Sequence, residues 1–197
     1  MITSDDFAGL VERMGAVARD DIAWAESVRE PESADQFARD AIFVICNSGM
    51  KSTVARSIFE RCMSAIEDGV SVSRGFGHKG KAAAIDTIWR DRGQLLVGYL
   101  AAADKLAFCE SLPWIGGITK YHLAKNLGAD VAKPDVHLQR LADREGCTPQ
   151  ALCERLAVDT GLRVASIDTV LWRACANGLI NSRTGEFAQH PAAKEPK

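Results

Sequence analysis

Apolar residues recur every three or four positions along most of the chain, and almost nowhere in strict alternation. Over 51–68 they fall at Val54, Ile58, Phe59, Cys62 and Ile66, one face of a helix. The same periodicity predicts helices over 4–18, 20–30, 33–46, 51–68, 81–91, 93–103, 104–111, 119–127, 135–144, 149–160 and 163–177. Ser4 and Ser33 are N-cap candidates, Pro149 sits in a first turn behind Thr148, and Gly128 ends its helix. The most apolar stretch, A-I-F-V-I-C at 41–46, predicts a buried central helix that stops at N-S-G, 47–49. No segment reads convincingly as a strand, and R-V-A-S-I-D at 163–168 is the weakest helical stretch. The pattern therefore predicts an all-α protein. No fixed-period repeat is visible, which argues against a solenoid. Residues 181–197, polar and rich in Pro and Lys, read as a flexible tail.

A length of 197 residues allows one domain or two small lobes. The net charge of −2 gives no overall basic character, which weakens a nucleic-acid reading without excluding a local basic face. The six cysteines, at 46, 62, 109, 147, 153 and 175, are scattered through apolar contexts. With no leader segment ahead of them, they read as free, buried thiols of a cytoplasmic protein, and no four-Cys run suggests zinc or an iron–sulfur cluster. No apolar run reaches membrane length. Trp24, Trp89 and Trp172 fall in apolar helical patterns and are expected in the core.

Chemistry enters at L-P-W-I-G-G-I-T-K, 112–120, which interrupts helical sequence on both sides. Pro113 ends one helix, and Gly116-Gly117 permit a tight turn before the next. Such a turn leaves backbone N–H groups free at a helix start, where a phosphate can bind with little help from positive charge. The plainer reading is a tight helix–helix connection. A dozen residues on, K-P-D-V-H-L-Q-R places Asp135 just ahead of an apolar helical pattern. The helix dipole keeps a carboxylate ionised there, yet the same facts describe an ordinary helix cap.

The two segments together resemble the helix-hairpin-helix DNA glycosylase superfamily, the endonuclease III-like enzymes. The hairpin is similar to that family's L-P-G-[VI]-G-x-x-T-A, and Asp135, His137 and Arg140 match its V-D-T-H-[IV]-x-R. Weaker similarity extends upstream. The N-S-G-M-K break and the helix ending F-E-R-C-M resemble the segment that pushes a side chain into the duplex. F-G-H-K-G-K-A-A-A-I at 76–85 resembles the following helix start. The resemblance implies a two-lobed helical fold, with a hairpin-bearing lobe over about 43–130 and a second lobe from 1–42 with 131–180.

It also implies hydrolysis of an N-glycosidic bond in double-stranded DNA, on a base flipped out of the stack. Asp135 is then the catalytic carboxylate, stabilising the oxocarbenium-like sugar and orienting water. Leu112, Trp114, Gly116, Gly117, Thr119 and Lys120 are the expected backbone contacts. Bifunctional members carry a Schiff-base Lys two residues beyond Gly116. This chain has Ile118 there, so a monofunctional enzyme that leaves an abasic site is expected. Lys120, two positions further along a helix, points elsewhere. Trp114 stands where the family commonly has Gly. The resemblance also implies a structural monovalent cation on hairpin carbonyls near Leu112 and Ile115, no other cofactor, and a monomer acting near the nucleoid.

Other candidates carry two readings each. Asn47 or Met50, with Lys51, would form the wedge or an ordinary loop. His78, Lys79 and Lys81 would meet phosphate or make a solvated turn. Tyr121, His122 and His137 would shape the site, with a structural role favoured for His122. Asp168 is a cap or a base-pocket residue. Three rival readings stay open: a lesion-binding protein without chemistry, a bifunctional lyase with an offset Lys such as Lys120, and a helical protein-interaction domain.

Overall fold

The computed structural model describes residues 1–50 and 52–188, with the side chain of residue 52 left aside. The chain is all-α: ten helices are present among the described residues, and the only β pairing there is an isolated bridge between Ile180 and Phe187. Contacts divide it into two compact units. One is Arg29–Ala129; the other joins Met1–Val28 to the chain from Asp130 onward. The boundary expected near residue 42 lies instead between Val28 and Arg29, so the 41–46 stretch and its helix belong wholly to the first of these units.

The Arg29–Ala129 unit is built on α3 (Ala34–Asn47), capped by Ser33 and buried at seven positions from Phe37 to Cys46. Against it pack α4 (Ser52–Glu67), α5 (Lys79–Ala101) and α7 (Thr119–Asn126), with α6 (Lys105–Ser111) beside α7. The two helices expected over 81–91 and 93–103 are one: Gly93 stays helical, because nothing there requires a break and both flanks are held by packing. Tyr99 is buried, donates to the Leu127 carbonyl at 2.9 Å, and stacks at an angle on Phe37. Gly98 makes room for Phe108; a Cβ there would lie 2.8 Å from its ring.

Asp40, on α3, has its carboxyl pushed up to about 6 by burial, with Arg39 pulling weakly the other way. A folded-state value above the unfolded one makes ionisation costly in the fold. Stability should therefore fall between about pH 4 and pH 6 and stay lowered above that. After allowance for partial exposure, Asp40→Asn should stabilise the protein by about 1–2 kcal/mol at pH 7 and by little near pH 4, measured by urea unfolding.

The other unit centres on α10 (Val164–Ala176), buried at ten positions, with α1 (Ser4–Met14), α2 (Ala16–Ser27), α8 (Val136–Glu145) and α9 (Pro149–Thr160) around it. The helix expected over 4–18 breaks at Gly15, which takes φ +59 between α1 and α2. Its cap is Thr3, not Ser4: Thr3 and Asp6 exchange bonds in a capping box. Arg173 grips both carboxylate oxygens of Asp21 through Nε and Nη2, at 2.6 and 2.7 Å, fastening α10 to α2. The first part of the expected tail is folded. Residues 181–188 form a turn closed by Gly185 N–H to Asn181 at 2.7 Å and Ala188 N–H to Leu179 at 2.9 Å; 189–197 lie outside the described residues. Trp24 and Trp172, expected in the core, are 47% and 38% exposed, and Trp89 is half-buried under the Arg92 guanidinium.

Candidate functional site

In the Arg29–Ala129 unit, α6 and α7 flank the hairpin. Leu112 and Ile115 are buried and anchor it, and the Ile115 N–H donates to the Leu112 carbonyl at 3.1 Å. The left-handed residue of this turn is Trp114, at φ 66; neither Gly116 nor Gly117 has a positive φ. The tight geometry expected of the two glycines is thus carried by the Trp. An aromatic residue pays roughly 1–3 kcal/mol for that conformation, so packing must hold it. The ring lies over Gly80, where a Cβ would meet it at 2.6 Å, and meets His78 edge-on with centroids 4.9 Å apart.

Gly116 and Gly117 are glycine for neither conformation nor internal packing. Gly116 has nothing within 4 Å of where a Cβ would stand, and Gly117 only Glu110 Oε1 at 3.7 Å. The Gly116 N–H is taken by Thr119 Oγ1 at 2.7 Å, and its carbonyl accepts the first helical N–H, from Lys120. The amides of Gly117, Ile118 and Thr119 precede that donor and have no intramolecular acceptor among the described residues. Ile118 is half-exposed, without any amine. Lys120 is ion-paired with Glu110 at 2.6 Å, which raises its pKa, and its ammonium lies 5.6 Å from the Tyr121 ring centre. Of the carbonyls expected to hold a monovalent cation, that of Leu112 keeps one lone pair after the turn bond.

The same unit contains an open cleft of about 670 Å³. It brings Met50, His78 and Trp114 together, with Lys81, Arg61 and Phe76, but Asn47 and Lys79 are not among its lining residues. Asn47 ends α3 and its carbonyl accepts from Met50 N–H at 3.2 Å, closing a turn in which Gly49 is left-handed. Lys51 lies outside the described residues. His78 caps α5, accepting from the Lys81 N–H at 3.3 Å. Lys81 is buried rather than solvated: burial lowers its pKa, and its ammonium donates to the Ser48 carbonyl at 2.6 Å, at the C-terminal end of α3. His122 packs against Phe43.

Asp135 belongs to the other unit. It caps α8: Oδ1 accepts the N–H of His137 at 2.9 Å and of Leu138 at 3.1 Å. Both bonds fall on one oxygen. The residues before it are held in place. Asp168, buried in α10, accepts the Lys133 N–H at 3.1 Å, and Gln150 accepts the Ala132 N–H at 2.8 Å. Asp168 is thus an anchor for the lead-in to Asp135. The negative charge of Asp135 joins burial in pushing the Cys175 thiol up to about 12. His137 Nδ1 shares a hydrogen bond with Ser182 Oγ at 3.0 Å, and Arg140 follows on the same helix. Ser182 and Gln150 carry no local signal, because neither is near Asp135 in the chain. Glu110 could have been found from its position ten residues before Lys120, at the end of the helix leading into the hairpin.

Among the described residues no group of three or more His, Cys, Asp or Glu is placed to hold a metal ion, and no helix is long and apolar enough to cross a membrane. No protein-family model, curated protein or solved structure matches the chain.

Proposed function

We propose that this chain is a helix-hairpin-helix DNA glycosylase that hydrolyses the N-glycosidic bond of an altered, flipped-out base and leaves an abasic site. The observation that carries the reading is the hairpin. Two adjacent glycines, required by neither conformation nor packing, lead into a helix whose first amides have no acceptor among the described residues. Bare backbone ahead of a helix N-terminus is what a phosphodiester needs in order to approach amide donors closely. Asp135 supplies the carboxylate. Its Oδ1 is spent on the helix cap, and Oδ2 is the oxygen that would face the sugar as positive charge develops. The 47–50 turn supplies the wedge, with Met50 the better placed of the two candidates because it lines an open cleft. A monovalent cation would use the carbonyls of Leu112 and Ile115 and takes no part in the chemistry.

The reaction is assigned to water because the chain offers no free amine at the expected place. Ile118 is aliphatic, and Glu110 holds Lys120 protonated. Duplex oligonucleotides with a panel of altered bases, split with and without hot alkali, test this. Breaks only after alkali are expected. Breaks without alkali would overturn the monofunctional assignment, and borohydride trapping should then be sought on Lys81, whose buried amine is easier to deprotonate than Lys120. No break with any base, together with intact duplex binding, would favour the lesion-binding reading.

The Glu110 carboxylate beside Gly117 opposes a phosphate there and occupies Lys120. Glu110→Gln should therefore tighten duplex binding roughly 3- to 10-fold at low salt and steepen its salt dependence, measured by fluorescence anisotropy across a salt series.

A further inference from the structure

The open cleft of the Arg29–Ala129 unit gathers positive charge with nothing to oppose it. Lys81, Arg61 and His78 line it, and none of its described lining residues is acidic. Lys81 is 5% exposed, and the Ser48 carbonyl takes one of its three N–H donors at 2.6 Å. No other acceptor for that ammonium is present among the described residues. Arg61 is exposed and has no ion pair among them. His78 accepts the Lys81 N–H on Nδ1, which places the proton of the neutral ring on Nε2 and leaves that N–H free to donate. Gly75 and Gly77 add bare backbone to the wall. Neither has a positive φ, and neither has anything within 4 Å of where a Cβ would stand. Conformation and packing do not ask for glycine there; close approach of a ligand to the backbone does.

Trp114 is the aromatic wall. Glycine would hold φ 66 without strain, yet an indole stands there, seated over Gly80, edge-on to His78 and still 44% exposed. Strain of this kind gathers at ligand clamps. An exposed flat ring in a cleft with cations selects a planar ring that carries negative charge. Lys81 and Arg61 supply two full positive charges. They match a phosphomonoester, with a charge of roughly −1.5 to −2 at pH 7, better than a carboxylate or a phosphodiester, which carries one. The volume of about 670 Å³ falls in the range of small-molecule sites. We propose that this cleft binds a nucleoside monophosphate, as a free nucleotide or as the phosphorylated end of a strand, with the base stacked on Trp114 and the phosphate held by Lys81, Arg61 and the Nε2–H of His78. No part of the site involves Asp135, so it stands or falls apart from base excision.

Calorimetric titration of the native chain with dAMP, deoxyadenosine and inorganic phosphate at low salt tests the site. dAMP should bind at least about tenfold more tightly than either fragment, since each fragment keeps only part of the contacts. Trp114→Gly relieves the backbone and removes the ring, so dAMP affinity should fall roughly 5- to 150-fold, the loss of one stacked base. Arg61→Gln, at an exposed position, should weaken dAMP about tenfold and leave deoxyadenosine unchanged, a split that a merely structural change would not produce. If Trp114→Gly folds poorly, Arg61→Gln decides alone. A 5′-phosphorylated trinucleotide binding more tightly than dAMP would identify a strand end, and weaker binding a free nucleotide; both support the site. Equal affinity for dAMP and either fragment would overturn the proposal. So would no binding of dAMP at about 1 mM, or full dAMP affinity in both variants.

Discussion

Asp135→Asn should leave the protein folded and remove base excision. The two possible roles of this residue make opposite demands on the side chain. A cap needs one acceptor oxygen aimed at the N–H groups of His137 and Leu138, and the amide oxygen of Asn supplies it. Stability should then change by less than about 0.5 kcal/mol, since Asn and Asp cap almost equally well. A catalytic carboxylate needs charge, which Asn lacks. Excision should fall roughly 100- to 10,000-fold, the range seen when a charge-stabilising or proton-transferring group is lost. Asp135→Ala separates the effects from the other side, losing both excision and about 1 kcal/mol of helix stability. Thermal unfolding and single-turnover excision on one substrate measure both quantities. Full activity in the Asn variant would reduce Asp135 to a cap and leave the chemistry without an owner.

The local signals that could be read from the sequence were those a residue settles with its own neighbours. Ser33, Thr148 and Asp135 cap helices because a short oxygen-bearing side chain can reach an amide two or three residues ahead, and nothing distant is consulted. The cap lies at Thr3, one residue before the expected Ser4, because Thr3 has a reciprocal partner in Asp6. Gly15 and Gly93 show where local reasoning ends. The sequence pattern runs a helix through Gly15 and starts a new one at Gly93, and the structure does the reverse: Gly15 breaks the chain with φ +59, and Gly93 lies inside one continuous helix. Exposed Trp24 and Trp172 make the same point: the spacing of an apolar face does not say which ring lies at its edge.

The candidate site was legible as a set of motifs and not as an arrangement. The hairpin and Asp135 could be picked out because each motif is contiguous. The cleft joining Met50, His78, Lys81 and Trp114 could not, since its walls come from four separated segments. Trp114 departs from the family's glycine, but its left-handed backbone is not legible in the sequence, because the ring's seat over Gly80 and against His78 holds that conformation. Lys81 illustrates how charge misleads. Three basic residues in a glycine-rich turn read as phosphate contacts or as a solvated turn, yet the central helix ends with a carbonyl that needs a donor, and the third of them turns inward to supply it.

Gly128→Ala should be among the most destabilising single changes in the Arg29–Ala129 unit. Two independent costs meet at this glycine. Its φ of +90° is a conformation that a Cβ strains, by about 1 kcal/mol or more. The Cβ would also stand 2.6 Å from the Arg29 carbonyl carbon and 2.7 Å from the Glu30 nitrogen. Those are backbone atoms and cannot swing aside as a side-chain tip would. Relief requires the 29–30 segment to move, and that segment is tethered by the Glu30–Lys105 ion pair at 3.2 Å. Gly128 also follows Leu127, whose carbonyl accepts the buried Tyr99 hydroxyl, so a shift there endangers a bond in the core. The expected loss is about 3–5 kcal/mol, read as a lowered urea midpoint with an unchanged slope. Gly185→Ala is the control. It has φ +75 and a contact of 2.6 Å, but the atom it meets is Arg144 Nε, on a flexible side chain. Its cost should stay near the conformational part alone, about 1 kcal/mol. Equal losses from the two variants would mean that the backbone at 29–30 yields as readily as an arginine, and the packing argument for Gly128 would fail.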